Sequence, residues 1–335
     1  MHYLKGLQRF IILGLSVLLL QCTSERSNEH VIRVSLWVNE QHTWFKSFEY
    51  FRDILLKRTD GRLKLEVYPS EQLAKEVESI RLIQADVIDM TVTGSVLSNW
   101  IEIAAFCELP FFLRNSEEKD LLINGDLGGL IEHEMLTKTG LRSLGVMERG
   151  ARLLTSNRPI KHPEDLEGLL VRVPNVPSFV TAWSAMGAKP TPMAFSEVFT
   201  SLQQGTIQAQ ENPYELILSM GFSEVQKYIN LTEHVMSWSY PVIGEVQFQR
   251  IPKDLQEIFV QAAKEMIDYE HRMFMDNQSK VKQQLLDQGM EIIEVDKAAF
   301  SAKCETAIYN SLSPEVQKHY KDFITLRDSV NASKG

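Results

Sequence analysis

The chain has 335 residues, of which 44% are apolar and 24% charged, with 17 Gly and 12 Pro. That is room for two domains of ordinary size, and it excludes disorder, collagen-like repeats and a polytopic membrane protein. Lys and Arg number 35 against 44 Asp and Glu, a formal charge of −9 that argues against nucleic acid as a partner.

Lys5 and Arg9 precede an apolar run from Phe10 to Leu20, and Gln21-Cys22 follows. An apolar stretch of about eleven residues falls short of the roughly twenty that span a bilayer. A basic start ahead of such a run reads as an export signal over residues 1–21. Leu19-Leu20-Gln21-Cys22 resembles a bacterial lipobox, which implies that Cys22 is lipidated and becomes the mature N-terminus. Gln21 departs from the small residue usual before that Cys. Removing residues 1–21 takes away two basic residues and no acidic one, so the exported chain carries −11. Residues 22–30 are mostly polar and suit a tether. Of the three cysteines, Cys107 and Cys304 remain after Cys22; they read as buried free thiols, a bridge between them being the alternative outside the cytoplasm.

From Val31 the pattern alternates between β-rich runs and amphipathic helices. Strands are predicted at Val31–Val38, Leu63–Tyr68 and Val87–Val92, with helices at Gln41–Arg58 and Lys75–Ala85 between them. A second series follows Gly150, with strands at Leu153–Thr155, Leu169–Val173 and Thr206–Gln210 and helices at Ser178–Met186 and Ser196–Gln204. The alternation predicts an α/β fold of two lobes with mixed sheets flanked by helices, joined by structured hinge segments. The expected division is 31–149 with 238–277 for lobe I and 150–237 with 278–331 for lobe II. After Pro252, apolar residues at helical spacing run from Leu255 to Leu285, with Asp254 placed to cap the start and Gly289 to end the helix. About 35 residues span roughly 50 Å, which is long enough to brace both lobes.

Catalytic signatures are missing. No two of the eight histidines stand three or four apart, and no Cys-x-x-Cys or Gly-x-Ser-x-Gly occurs. Gly125-Asp126-Leu127-Gly128-Gly129 has neither P-loop nor dinucleotide spacing. The chain therefore reads as no enzyme, with no metal and no cofactor. Arg172 is different: it interrupts the apolar strand Leu169–Val173. A guanidinium stays charged, so its burial demands an anion, and its planar fork matches a carboxylate. From the pattern alone that anion is a protein acid or a ligand. Arg152, Phe195 and Asn212 read by default as a surface charge, a core aromatic and a turn former.

Together these residues carry a resemblance. Gly150-Ala151-Arg152-Leu153-Leu154-Thr155-Ser156-Asn157-Arg158-Pro159-Ile160 is followed by Asp165-Leu166-Glu167-Gly168-Leu169 and Val171-Arg172-Val173-Pro174-Asn175. With Pro192-Met193-Ala194-Phe195-Ser196-Glu197 and Gln210-Glu211-Asn212-Pro213, these segments resemble the DctP-like extracytoplasmic solute-binding proteins of TRAP (tripartite ATP-independent periplasmic) transporters. Tyr68-Pro69-Ser70-Glu71-Gln72-Leu73, Val87-Ile88-Asp89-Met90 and Ile251-Pro252-Lys253-Asp254-Leu255-Gln256 fit the same family, so the likeness covers nearly all of residues 31–330.

The resemblance implies a flytrap that captures an organic acid outside the cytoplasm and delivers it to a TRAP permease. It implies that Arg172 grips the ligand carboxylate, with Arg152 and Asn175 near it, Asn212 hydrogen-bonding and Phe195 packing on the ligand. The stretch Thr91–Leu97 lacks the acidic and basic residues of sialic-acid binders, which disfavours that ligand. Leu73-Ala74-Lys75-Glu76 carries Lys where an acidic residue is usual. Lys75 and Arg149, with Glu76 alongside, either meet a second anionic group or face solvent, which leaves a dicarboxylate or a sugar acid. Trp37 and Trp238 are candidate pocket walls. The expected chain is a monomer, lipid-anchored and periplasmic. The alternative function is a sensor that passes its closed state to a signalling receptor.

Overall fold

The computed structural model describes residues 29–334; the expected export signal, Cys22 and most of the tether lie outside the described residues. The first half runs β1 (His30–Ser35), α1 (Thr43–Arg58), β2 (Leu63–Tyr68), α2 (Glu76–Gln84), β3 (Met90–Thr93), α3 (Ser116–Ile123), α4 (Asp126–Thr139), β4 (Leu141–Ser143) and β5 (Met147–Ser156). Then come β6 (Leu170–Val173), α5 (Pro177–Ala185), β7 (Lys189–Pro192), α6 (Val198–Gln203), β8 (Ala209–Asn212) and α7 (Tyr214–Ser219). The chain ends with β9 (Tyr228–Gly244), α8 (Glu245–Arg250), α9 (Lys253–Asp287), β10 (Glu291–Ile293), α10 (Lys297–Ser311) and α11 (Pro314–Lys334).

The strands form one path, β2-β1-β3-β9-β5-β8-β6-β7, with β4 and β10 also on β9. β1, β2 and β3 are parallel, and so are β6, β7 and β8, as helical crossovers require. β9 and β5 pair antiparallel with each other and carry the chain between these two halves. Register slips between Glu148 and Gly150 and between Arg152 and Leu154 bend β5 where the halves meet.

Helices cover both faces. On one, Trp44, Phe48, Phe51 and Leu55 of α1 meet Phe259, Ala262, Ala263 and Met266 of α9, all fully or nearly fully buried. On the other, Phe179 and Trp183 of α5 pack with Phe300, Cys304 and Ile308 of α10. Each buried large apolar side chain contributes about 1.5–3 kcal/mol, so these two layers hold the halves rigid. α9 is one unbroken helix of 35 residues. It packs on α1, on β5 and on α7, and so braces both halves.

Two details differ from expectation. Asp254 does not cap α9; Pro252 holds the cap position, and Asp254 accepts from Arg62 at 2.6 Å instead. The division that assigned 278–331 to lobe II meets an exception in α11, whose Tyr320 and Phe323 rings lie 4.8 and 5.1 Å from the ring of Phe112 in the first half. An aromatic face on α11 matched to a buried Phe outweighs chain proximity. Cys107 and Cys304 are separate buried thiols; burial pushes Cys304 up to about 12, leaving it an inert thiol.

Candidate functional site

A cavity of about 570 Å³ opens at the C-terminal ends of the parallel strands, between the two halves. From the first half, Trp37, Glu71, Lys75, Glu76, Asn99 and Trp100 line it. Arg172, Asn175, Met193, Phe195 and Glu197 face them from the second. Crevices at strand C-termini are where open α/β sheets bind ligands. The two sides touch: Lys75 pairs with Glu197, Asn99 Nδ2 donates to the Asn175 carbonyl at 3.3 Å, and the Trp37 and Phe195 rings meet edge-on at 5.2 Å.

Arg172 sits at the middle of β6, between β7 and β8, with 4% of its surface exposed. Its Nε and Nη2 both donate to the Met193 carbonyl oxygen, at 3.2 and 2.7 Å, and its guanidinium lies 5.7 Å from the Phe195 ring centre. Among the described residues no carboxylate pairs with it. Burial is the main cause that lowers its pKa to about 10, with the charges of Arg152 and Arg149 adding to the effect and Glu211 only partly offsetting it. An anion brought into the cavity would relieve that strain.

The other two guanidiniums are already matched. Arg152 is fully buried between Glu211, whose Oε1 accepts from Nη2 at 2.7 Å, and Glu108 at 3.5 Å. Burial alone would raise Glu211, but Arg152 and then His234, 3.0 Å away, hold it down to about 2. Arg149 pairs with Glu108 and lies 5.4 Å from the Trp37 ring centre, behind the cavity wall. Two arginines thus face two glutamates beneath the site, and Arg172 alone has its charge unanswered.

Trp37, Lys75, Glu76, Arg172, Asn175 and Phe195 therefore share the cavity, as the sequence reading grouped them. The other four do not line it. Arg152 and Arg149 are drawn back by buried acids that a carboxylate ligand would have to displace. Asn212 is buried and donates to Gln210 Oε1 at 2.7 Å. Trp238 is fully buried beside Tyr240, their ring centres 6.4 Å apart. Lys75 is exposed to solvent, with its ammonium paired to Glu197 across the cleft. Glu71, Asn99 and Trp100 were missed. Glu71 lay within the Tyr68–Leu73 segment of the resemblance, but nothing in its spacing shows that a turn aims it inward. No group of His, Cys, Asp and Glu gathers to hold a metal among the described residues. No described helix is long and apolar enough to cross a membrane.

Comparison with known proteins agrees with this geometry. The family model of the bacterial extracellular solute-binding proteins, family 7, matches residues 34–321. A solute-binding protein of Roseobacter denitrificans is 42% identical over 291 residues, which is 87% of this chain and 90% of that one. The solved structure of a TRAP periplasmic solute-binding protein from that organism, with bound L-galactonate, superposes with a TM-score of 0.85 at 41% identity, covering 88% of this chain and 98% of the other. The 2,3-diketo-L-gulonate-binding periplasmic protein of Escherichia coli is 34% identical over 75% of this chain and 77% of its own. By family match, similarity and fold, the chain belongs to the family 7 extracellular solute-binding proteins of TRAP transporters.

Proposed function

We propose that the cavity captures a small organic acid by binding its carboxylate to Arg172, and that the chain delivers this acid to a TRAP permease. The observation that carries the reading is a buried guanidinium whose only hydrogen-bond acceptor among the described residues is a backbone carbonyl. A buried, charge-assisted carboxylate contact is strong because the site excludes water. Phe195, Trp37 and Trp100 offer flat apolar walls to the carbon chain, and Asn175 and Asn99 offer polar groups at the mouth. Arg152 acts from behind, holding β5 to β8 and adding positive potential. The L-galactonate bound by the Roseobacter relative and the diketogulonate of the Escherichia relative point to sugar acids. On this reading the lobes hinge about β5, β9 and α9, the closed form gaining the contacts that bridge the cleft. Cys22 carries a lipid that anchors the monomer outside the cytoplasmic membrane.

Calorimetry tests the reading. Arg172→Ala should weaken binding of the acid at least about 100-fold with an unchanged circular dichroism spectrum; wild-type affinity in that variant contradicts it. The anchor has its own test: Cys22→Ser should release the exported chain from membranes into the soluble fraction, and a soluble wild-type chain would contradict the lipid.

A further inference from the structure

We infer that the cavity selects a hydroxylated monocarboxylate over a dicarboxylate, because Glu71 and Glu76 form an acidic wall across the cleft from Arg172. The inference rests on the reading that Arg172 holds a ligand carboxylate.

Seven charged side chains line the cavity: Arg172, Lys75, Arg81, Glu71, Glu76, Glu78 and Glu197. Four of them pair off, Lys75 with Glu197 and Arg81 with Glu78 at 2.8 Å. What remains is one cation on the second half and two carboxyls on the first. Their placement is deliberate in the backbone. Ser70 and Glu71 both adopt left-handed conformations, with φ of 56° and 57°. Each non-glycine residue in that region costs about 1–2 kcal/mol. The turn persists because the Ser70 N–H donates to the Val38 carbonyl at 2.8 Å and the Glu71 N–H to the Leu36 carbonyl at 3.0 Å. Strain of this kind gathers where a side chain must be aimed. Glu76 opens α2 and accepts from Thr93 Oγ1 at 3.2 Å. Burial raises both carboxyls, Glu76 to about 7.

Ionised or neutral, a carboxyl offers oxygens that accept from a ligand hydroxyl. A second ligand carboxylate meets the opposite situation: it adds a negative charge beside two desolvated carboxyls, and among the described residues of the lining no cation is left unpaired to receive it. The site is thus polar at both ends with opposite demands: an acid at Arg172 and hydroxyl donors at Glu71 and Glu76.

Calorimetric titration of the mature chain with L-galactonate and with galactarate, in which the terminal CH₂OH is a second carboxylate, isolates that end. Wild type should prefer galactonate at least 100-fold, and Glu71→Gln and Glu76→Gln should each narrow the preference tenfold or more while the fold stays intact by circular dichroism. D-erythronate against tartrate repeats the comparison at four carbons, so that chain length does not mask it. Equal affinity within both pairs overturns the acidic wall, as does a ratio unchanged in both variants; with binding still lost in Arg172→Ala, the role of Arg172 stands. Binding that survives Arg172→Ala overturns that role, and this inference with it.

Discussion

Three arginines lie close together around the cleft floor, and their partners decide what each does. Arg152 is locked between Glu211 and Glu108 with no exposed surface. Removing one member of such a buried pair leaves a charge unpaired, so Arg152→Met should cost on the order of 3–5 kcal/mol in urea denaturation. Arg172→Met, which orphans no carboxylate, should leave stability within about 1 kcal/mol of wild type or raise it. Equal losses in the two variants would show that Arg172 is structural. Glu211 adds a pH dependence. Its folded value of about 2 lies below the ordinary 4.5, so its stabilising contribution is complete above about pH 4.5 and is lost as pH falls toward 2. Glu211→Gln should flatten that acid limb. The sequence marked Arg172 as an anomaly in an apolar strand, and the resemblance marked Arg152. That Arg152 finds its acid 59 residues later depends on the pairing of β5 with β8, which no local spacing encodes.

Elements with a strong period were legible, and those defined by pairing were not. The apolar ladder from Leu255 to Leu285 announced α9, and the β2 boundaries were read to the residue. β9 went unseen although it is the longest strand at 17 residues, because Glu233, His234 and Pro241 break its alternation and only its neighbours on both sides keep it extended. β7 contains Pro190 and Pro192 and lies at the end of the strand path, where missing N–H donors cost nothing. At the bend of β5, Gly150 has a φ of +84°, and an added Cβ would lie 3.2 Å from the Phe274 ring of α9. Gly150→Ala should therefore destabilise by at least about 1–2 kcal/mol, read as an earlier urea midpoint with an unchanged slope. An unaltered midpoint would mean that the strand accommodates a side chain there.

At the scale of the molecule, β5, β9 and α9 are shared by both halves, while the cavity is bounded by α2 and loops of the first half and by β6, the end of β7 and loops of the second. On the proposed reading, closure is a rotation about these three continuous elements, with affinity residing in contacts made only when the halves meet. Small-angle scattering should show a smaller radius of gyration on adding the acid, and an identical profile with and without it would speak against hinge closure. The two-lobed α/β plan followed from alternation alone. Which polar groups share the cavity did not, since it is assembled from strand ends more than 130 residues apart, Trp37 to Arg172. The most direct trial of the whole account is a crystal structure of the chain with its transported acid. The account predicts the acid's carboxylate in a two-bond contact with the Arg172 guanidinium, inside the cavity shared with Phe195. A carboxylate seated elsewhere, or Arg172 turned onto a protein acid while the ligand is bound, would contradict it.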